Sequence, residues 1–192
     1  MPRYTNPQLV SMMETGVLSV LTDIDPFLAR ARNAQEKVLL LLLFLTGARP
    51  SELLEMTSDD IVRERNHLVI SIKTKKKGRY RVLYIPLKGS GVFVRYARML
   101  ADIVDNSYVP GMRLFFNWSK PFHIRDRVYY LTKKKYPPYF FRHNIMTILA
   151  MRGASLKELQ YWKGASDSRS VESYAHISRD VQIRIGGLLS RA

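Results

Sequence analysis

Cysteine is absent from this 192-residue chain, so neither a disulfide nor a thiolate metal site is open to it. Histidine is scarce, and His67, His123, His143 and His176 show no ligand spacing of the HxxxH kind. Long apolar runs are missing too. The most apolar stretch, Val38 to Leu45, is eight residues, against the roughly 20 that span a bilayer. The opening Met-Pro-Arg-Tyr-Thr-Asn-Pro lacks the apolar segment of a secretory signal. Negative charge is in short supply: 16 Asp and Glu face 31 Lys and Arg, for a net charge of +15. Such a field captures polyanions, and with no membrane-spanning run the favoured partner is nucleic acid. The expectation is an intracellular, cytoplasmic protein that binds no metal and needs no cofactor.

What is present describes an ordinary folded chain, 46% apolar and 24% charged. One domain is expected, with two small ones as the alternative. Asn6 to Glu14 and Val17 to Arg32 read as short helices, the second broken at Asp25-Pro26. Gln35 to Thr46 predicts a helix buried on most sides and stopped by Gly47, and Pro50-Ser51-Glu52 restarts one. Arg49 therefore falls at a junction between helices. His67 to Thr74 alternates, with Leu68, Ile70 and Ile72 on one face, and Arg79 to Ile85 is rich in strand formers. Joined by Lys75-Lys76-Lys77-Gly78, they predict a β-hairpin with a lysine-loaded tip, to which Asp60 to Arg63 adds a short strand. Helices are expected at Gly89 to Asp105, with Val92, Tyr96, Met99 and Ile103 as the apolar face, and at Pro121 to Lys133, Tyr139 to Arg152, Ser155 to Lys163 and Ser168 to His176. Val181 to Leu189 is amphipathic but interrupted by Gly186-Gly187. The fold class is mainly α with a small antiparallel β-sheet (α+β).

Three residues stand out chemically. Arg49 lies in Thr-Gly-Ala-Arg-Pro-Ser-Glu, Arg142 in Tyr-Phe-Phe-Arg-His, and Tyr174, 32 residues further on, in Val-Glu-Ser-Tyr-Ala-His. Two cations that stay charged and a phenol able to act as a nucleophile suit covalent chemistry on a phosphodiester. Taken singly, an arginine at a helix junction is usually a capping residue and a tyrosine usually packs at a core edge. In this order, with the basic hairpin and the Arg-Gly-Ala-Ser-Leu-Lys-Glu-Leu-Gln stretch at 152–160, the motifs resemble the catalytic domain of the tyrosine recombinase (phage-type integrase) family, which shares its fold with type IB topoisomerases. The resemblance runs from about Asn6 to His176.

The resemblance implies that Tyr174 attacks the scissile phosphate to give a 3′-phosphotyrosyl link, while Arg49 and Arg142 bind the non-bridging oxygens. A hairpin lysine protonates the departing 5′-oxygen. Among Lys73, Lys75, Lys76 and Lys77, Lys75 best matches the family's position, and Lys73, Lys76, Lys77 and Arg79 are expected to grip DNA backbone. Two positions depart from the family pattern. Tyr139 stands where a histidine is usual, and Ala165 where a later His or Trp is usual, with Trp162 and Lys163 close enough to supply a substitute donor. Glu52 is expected to support Arg49 by ion pairing, and His143 is structural or a phosphate contact. This variant set resembles divergent archaeal plasmid or virus integrases.

The domain reading is a catalytic domain over 1–177 and a C-terminal tail helix over 178–192, either exchanged between protomers or folded back on its own core, with no N-terminal core-binding domain. The resemblance implies double-stranded DNA as partner, DNA cleavage and rejoining as in site-specific recombination or integration, and a tetramer on DNA. Topoisomerase-like relaxation and a non-catalytic nucleic-acid-binding module are the alternatives.

Overall fold

The computed structural model describes residues 20–74, 80–164 and 179–190. The expected helices over Asn6–Glu14 and Ser168–His176 lie outside them. The core is organised by one helix. After α1 (Asp25–Leu28), α2 (Ala34–Thr46) starts at Asn33, whose side chain accepts the Glu36 N–H at 2.9 Å, and stops at Gly47 with φ 62°. Every residue from Val38 to Leu45 is fully buried. A helix apolar all round must be surrounded, and the elements that surround α2 carry the site.

The short helix α3 (Pro50–Leu53) follows, then a 3-10 turn (Ser58–Asp60) and the strands β1 (Ile61–Glu64), β2 (His67–Lys73) and β3 (Tyr80–Pro86). They form one antiparallel sheet in the order β1-β2-β3, with Ile61 opposite Ile70 and Ile70 opposite Leu83. Leu68, Ile70 and Ile72 point into the core, as their alternation predicts. Helix α4 (Val92–Ser107) then packs on α2, where Phe93 stacks on Phe44 with ring centroids 4.9 Å apart and Tyr96 meets the same ring edge-on at 5.3 Å. Helices α5 (Pro121–Leu131), α6 (Pro138–Met151), α7 (Leu156–Lys163) and α8 (Arg179–Gly187) follow among the described residues, with a 3-10 turn at Leu188–Ser190. The arrangement is mainly helical with one small antiparallel sheet, as expected.

Three local expectations are corrected. Between residues 20 and 32 only Asp25–Leu28 is helical, and Pro26 sits in its first turn. There the missing N–H costs nothing, so the proline starts a helix instead of breaking one. The buried stripe of α4 is Phe93, Tyr96, Ala97, Leu100 and Val104, while Val92, Met99 and Ile103 lie at its edge. Aromatic bulk at Phe93, drawn to Phe44, rotates the face by about one position. Gly186 does not interrupt its helix. A side chain there would stand 1.5 Å from the Tyr84 carbonyl oxygen, so the glycine lets α8 lie directly on β3. Ile185, Leu188 and Leu189 then join the core of their own chain.

Truncation inside α2 should be costly because nothing around it can relax into the space. Leu41→Ala is expected to lower unfolding free energy by about 2–5 kcal/mol, measured by urea denaturation. Leu156→Ala, at a side chain 70% exposed, should shift it by less than about 0.5 kcal/mol.

Candidate active site

A single buried carboxylate gathers the site. Glu52, in the first turn of α3, is 1% exposed. Its Oε2 accepts the backbone N–H of Arg49 at 2.8 Å, satisfying a donor at the helix start, and its Oε1 accepts from the Arg49 Nη1 at 2.9 Å. From β3, Arg81 reaches the same carboxylate, with Nη2 3.1 Å from Oε2 and Nη1 3.3 Å from Oε1. Glu52 thus ion-pairs with two arginines, Arg49 and Arg81.

Arg81 was not among the residues expected to serve the site. It is 2% exposed and occupies the inward phase of β3 with Leu83 and Ile85, opposite Ile72. That phase was readable: an arginine in step with core positions needs a buried carboxylate, since a lone charge there is prohibitive. Arg81 Nη1 also donates to the Lys163 carbonyl at 3.3 Å, at the end of α7. Tyr161 pins α7 to β3 beside it, its hydroxyl donating to the Val82 carbonyl at 2.9 Å and accepting from the Val82 N–H at 3.1 Å.

Arg142, 4% exposed on α6, completes the set. Its Nη1 donates to the Gly47 carbonyl at 2.8 Å and its Nη2 to the same Lys163 carbonyl that Arg81 uses. Lys163 therefore acts here through its backbone oxygen, at the negative end of a helix. Two glycines make the approach feasible. A Cβ on Gly47 would come within 2.8 Å of Ile145 and 3.0 Å of the Arg142 backbone, and one on Gly164 within 2.3 Å of Arg81 Nη1. Both glycines cap their helices at φ 62°, where other residues are strained.

The electrostatics follow from three guanidiniums around one carboxylate. Burial alone would raise the Glu52 carboxyl, but the charge of Arg81, the Arg49 N–H and the Arg49 guanidinium outweigh it and hold the carboxyl below its ordinary range. Burial, reinforced by repulsion from Arg49 and Arg81, pulls the Arg142 pKa down to about 10, so it stays charged at neutral pH. Arg49 is the accessible member, its side chain 43% exposed. Arg49 and Arg142 line one cleft of about 530 Å³ together with Tyr139 and Arg125.

The remaining candidates are placed as follows. Tyr139 is 61% exposed, with its ring edge-on to exposed His143 at 4.3 Å. Tyr139 thus borders the arginines, and His143 props the tyrosine. Trp162 is 1% exposed, and its Nε1 has no partner among the described residues. Lys73 Nζ stands 3.6 Å from the Glu55 carboxylate on the exposed side of β2. Lys75, Lys76, Lys77, Arg79, Ala165 and Tyr174 lie outside the described residues.

Removing the central charge should be felt throughout. Glu52→Gln is expected to cost about 3–5 kcal/mol at pH 7, because it leaves Arg81 buried without a counter-charge. A carboxyl held below its ordinary pKa contributes stability that is present above about pH 4.3 and is lost as pH falls through the lowered value. Urea midpoints of the two proteins should therefore converge on acidification below pH 4.

No family model matches the chain. Curated relatives do. The tyrosine recombinase XerD of Staphylococcus saprophyticus is 26% identical over 196 residues, covering 95% of this chain and 63% of the relative. The tyrosine recombinase XerA of Pyrococcus horikoshii is 24% identical, covering 92% and 61%. The chain thus spans about three-fifths of the length of these relatives. Among solved structures, an integrase from mycobacterium phage Brujita superposes with a TM-score of 0.61 at 14% identity, over 98% of this chain and 58% of that one. The XerH site-specific recombinase bound to its difH substrate gives a TM-score of 0.51 at 18% identity, over 92% and 53%. In sequence the chain is thus similar to curated tyrosine recombinases, and its helical fold with one small sheet is shared with the solved integrase and recombinase structures.

Proposed function

We propose that this chain cleaves and rejoins DNA through a 3′-phosphotyrosyl intermediate, as a site-specific recombinase or integrase. The observation that carries the reading is the pairing of Arg49 and Arg142 at one cleft, both braced from behind. Arg49 is held by Glu52, and Arg142 by the Gly47 and Lys163 carbonyls. Guanidiniums fixed in this way stabilise charge that develops on non-bridging phosphate oxygens without having to reorganise. The net charge of +15 supplies long-range attraction to the duplex.

In the proposed step the Tyr174 hydroxyl gives its proton to solvent and its oxygen bonds to phosphorus, while the bond from phosphorus to the 5′-oxygen breaks. Lys75 supplies the proton that the leaving oxygen takes. Rejoining is the reverse, with a 5′-hydroxyl attacking the phosphotyrosine. One ester replaces another, so the step needs no external energy source. Tyr139 borders the same cleft and offers a phenol O–H to a phosphate oxygen. Double-stranded DNA is the proposed partner, and four protomers around two duplexes the proposed active assembly.

The test is denaturing electrophoresis after incubation with end-labelled duplex fragments. A protein–DNA adduct is expected with the wild-type chain and none with Tyr174→Phe. Arg49→Ala and Arg142→Ala should each reduce adduct formation by about 10²–10³-fold. Absence of adduct from wild type on every duplex, with DNA binding retained, would assign the chain a binding role only.

A further inference from the structure

The cleft that holds Arg49 and Arg142 is larger and more apolar than a phosphate requires. Its volume of about 530 Å³ is that of a small-molecule site. Four prolines and the rings of Phe122, Tyr129 and Tyr139 wall it, and the only charged groups among its lining residues are Arg49, Arg125 and Arg142. Phe122 is 45% exposed and Tyr139 61%. Exposed aromatic rings gathered beside cationic side chains mark a surface for a planar, anionic partner.

Both rings are set on stiff supports. Phe122 lies in the first turn of α5 directly after Pro121, and Tyr139 in the first turn of α6 directly after Pro138. Each ring is buttressed edge-on by the imidazole of a histidine, Phe122 by His123 and Tyr139 by His143, both at 4.3 Å. Cationic groups beside aromatic faces are the combination that takes up an unstacked base together with its phosphate.

We propose that this cleft takes an unstacked nucleobase adjacent to the phosphate engaged by Arg49 and Arg142, with Phe122 and Tyr139 as its stacking faces. The inference rests on the DNA reading above and adds to it a specificity term based on deformability. Stacking on a ring tolerates any base, so the cleft favours sequences whose base at that step leaves the helix readily. An unpaired base, already free of its partner, enters at the least cost.

The probes are two 20-base-pair duplexes bearing one 2-aminopurine, opposite thymine in one and opposite an abasic site in the other. Wild-type protein should bind the abasic-opposed duplex about 10-fold more tightly and quench its fluorescence further on binding. Phe122→Ala should lower that affinity ratio to near one, and Phe122→Tyr should restore it. Phe116→Ala, at a ring 55% exposed that does not line the cleft, should leave the ratio as in wild type. Equal affinity for the two duplexes without added quenching, or quenching that persists in the Phe122→Ala, Tyr139→Ala double variant, overturns the proposal alone. Failure to bind either duplex at low salt overturns the DNA reading and the proposal with it.

Discussion

The Glu52 carboxylate is the interaction on which the site depends. It closes the start of α3 through the Arg49 N–H, orients the Arg49 guanidinium, and neutralises Arg81 where the sheet meets α7. Each of these could be met separately on a protein surface, where an ion pair is worth little. Buried together, they tie three elements to one point, and loss of any partner leaves a charge stranded in a low-dielectric setting. Arg142 is held by carbonyls from two further places, the end of α2 and the end of α7. The position of the accessible guanidinium is thereby set by packing and not by its own flexible stem.

The hydrophobic architecture serves the same end. Helix α2, buried from Val38 to Thr46, ends at a left-handed glycine, so the chain turns sharply and delivers Arg49 to the cleft that Arg142 of α6 also lines. The sheet contributes Arg81 from an inward position, and α8 lies over β3 with Gly186 against the Tyr84 carbonyl. Rigid elements on every side are what a site needs to hold guanidiniums within a fraction of an ångström.

Much of this was legible in the sequence, and the failures have physical reasons. The eight apolar residues ahead of Gly47 announced α2, and the alternation at Leu68, Ile70 and Ile72 gave the sheet its inner face. Arg49, Arg142 and Glu52 could be picked out because short-range motifs surround them. Arg81 escaped notice because its role arises from a partner 29 residues away in sequence, although its phase in the strand was visible. Pro26 misled because proline both starts and breaks helices, and only tertiary packing at Ile24 and Leu28 decides between them. Gly186 misled for a related reason: a glycine that weakens an isolated helix is required where that helix touches another backbone. The sequence marks Lys163 by its ammonium, yet the contact that the fold uses is a main-chain oxygen, which any residue carries and no motif marks.

The cluster of Arg49, Arg81 and Arg142 around Glu52 is electrically incomplete. Three positive groups face one negative group, and the Arg142 pKa, lowered first by burial, is lowered further by repulsion from Arg49 and Arg81. Folding thus keeps a standing demand for an anion at this spot. Whatever oxyanion occupies the cleft is therefore a missing counter-ion of the fold as well as a ligand, and occupancy stabilises the native state by mass action. A phosphodiester bound there would bring one of the two negative charges that Glu52 leaves unmatched, and would so enter the charge balance of the fold itself.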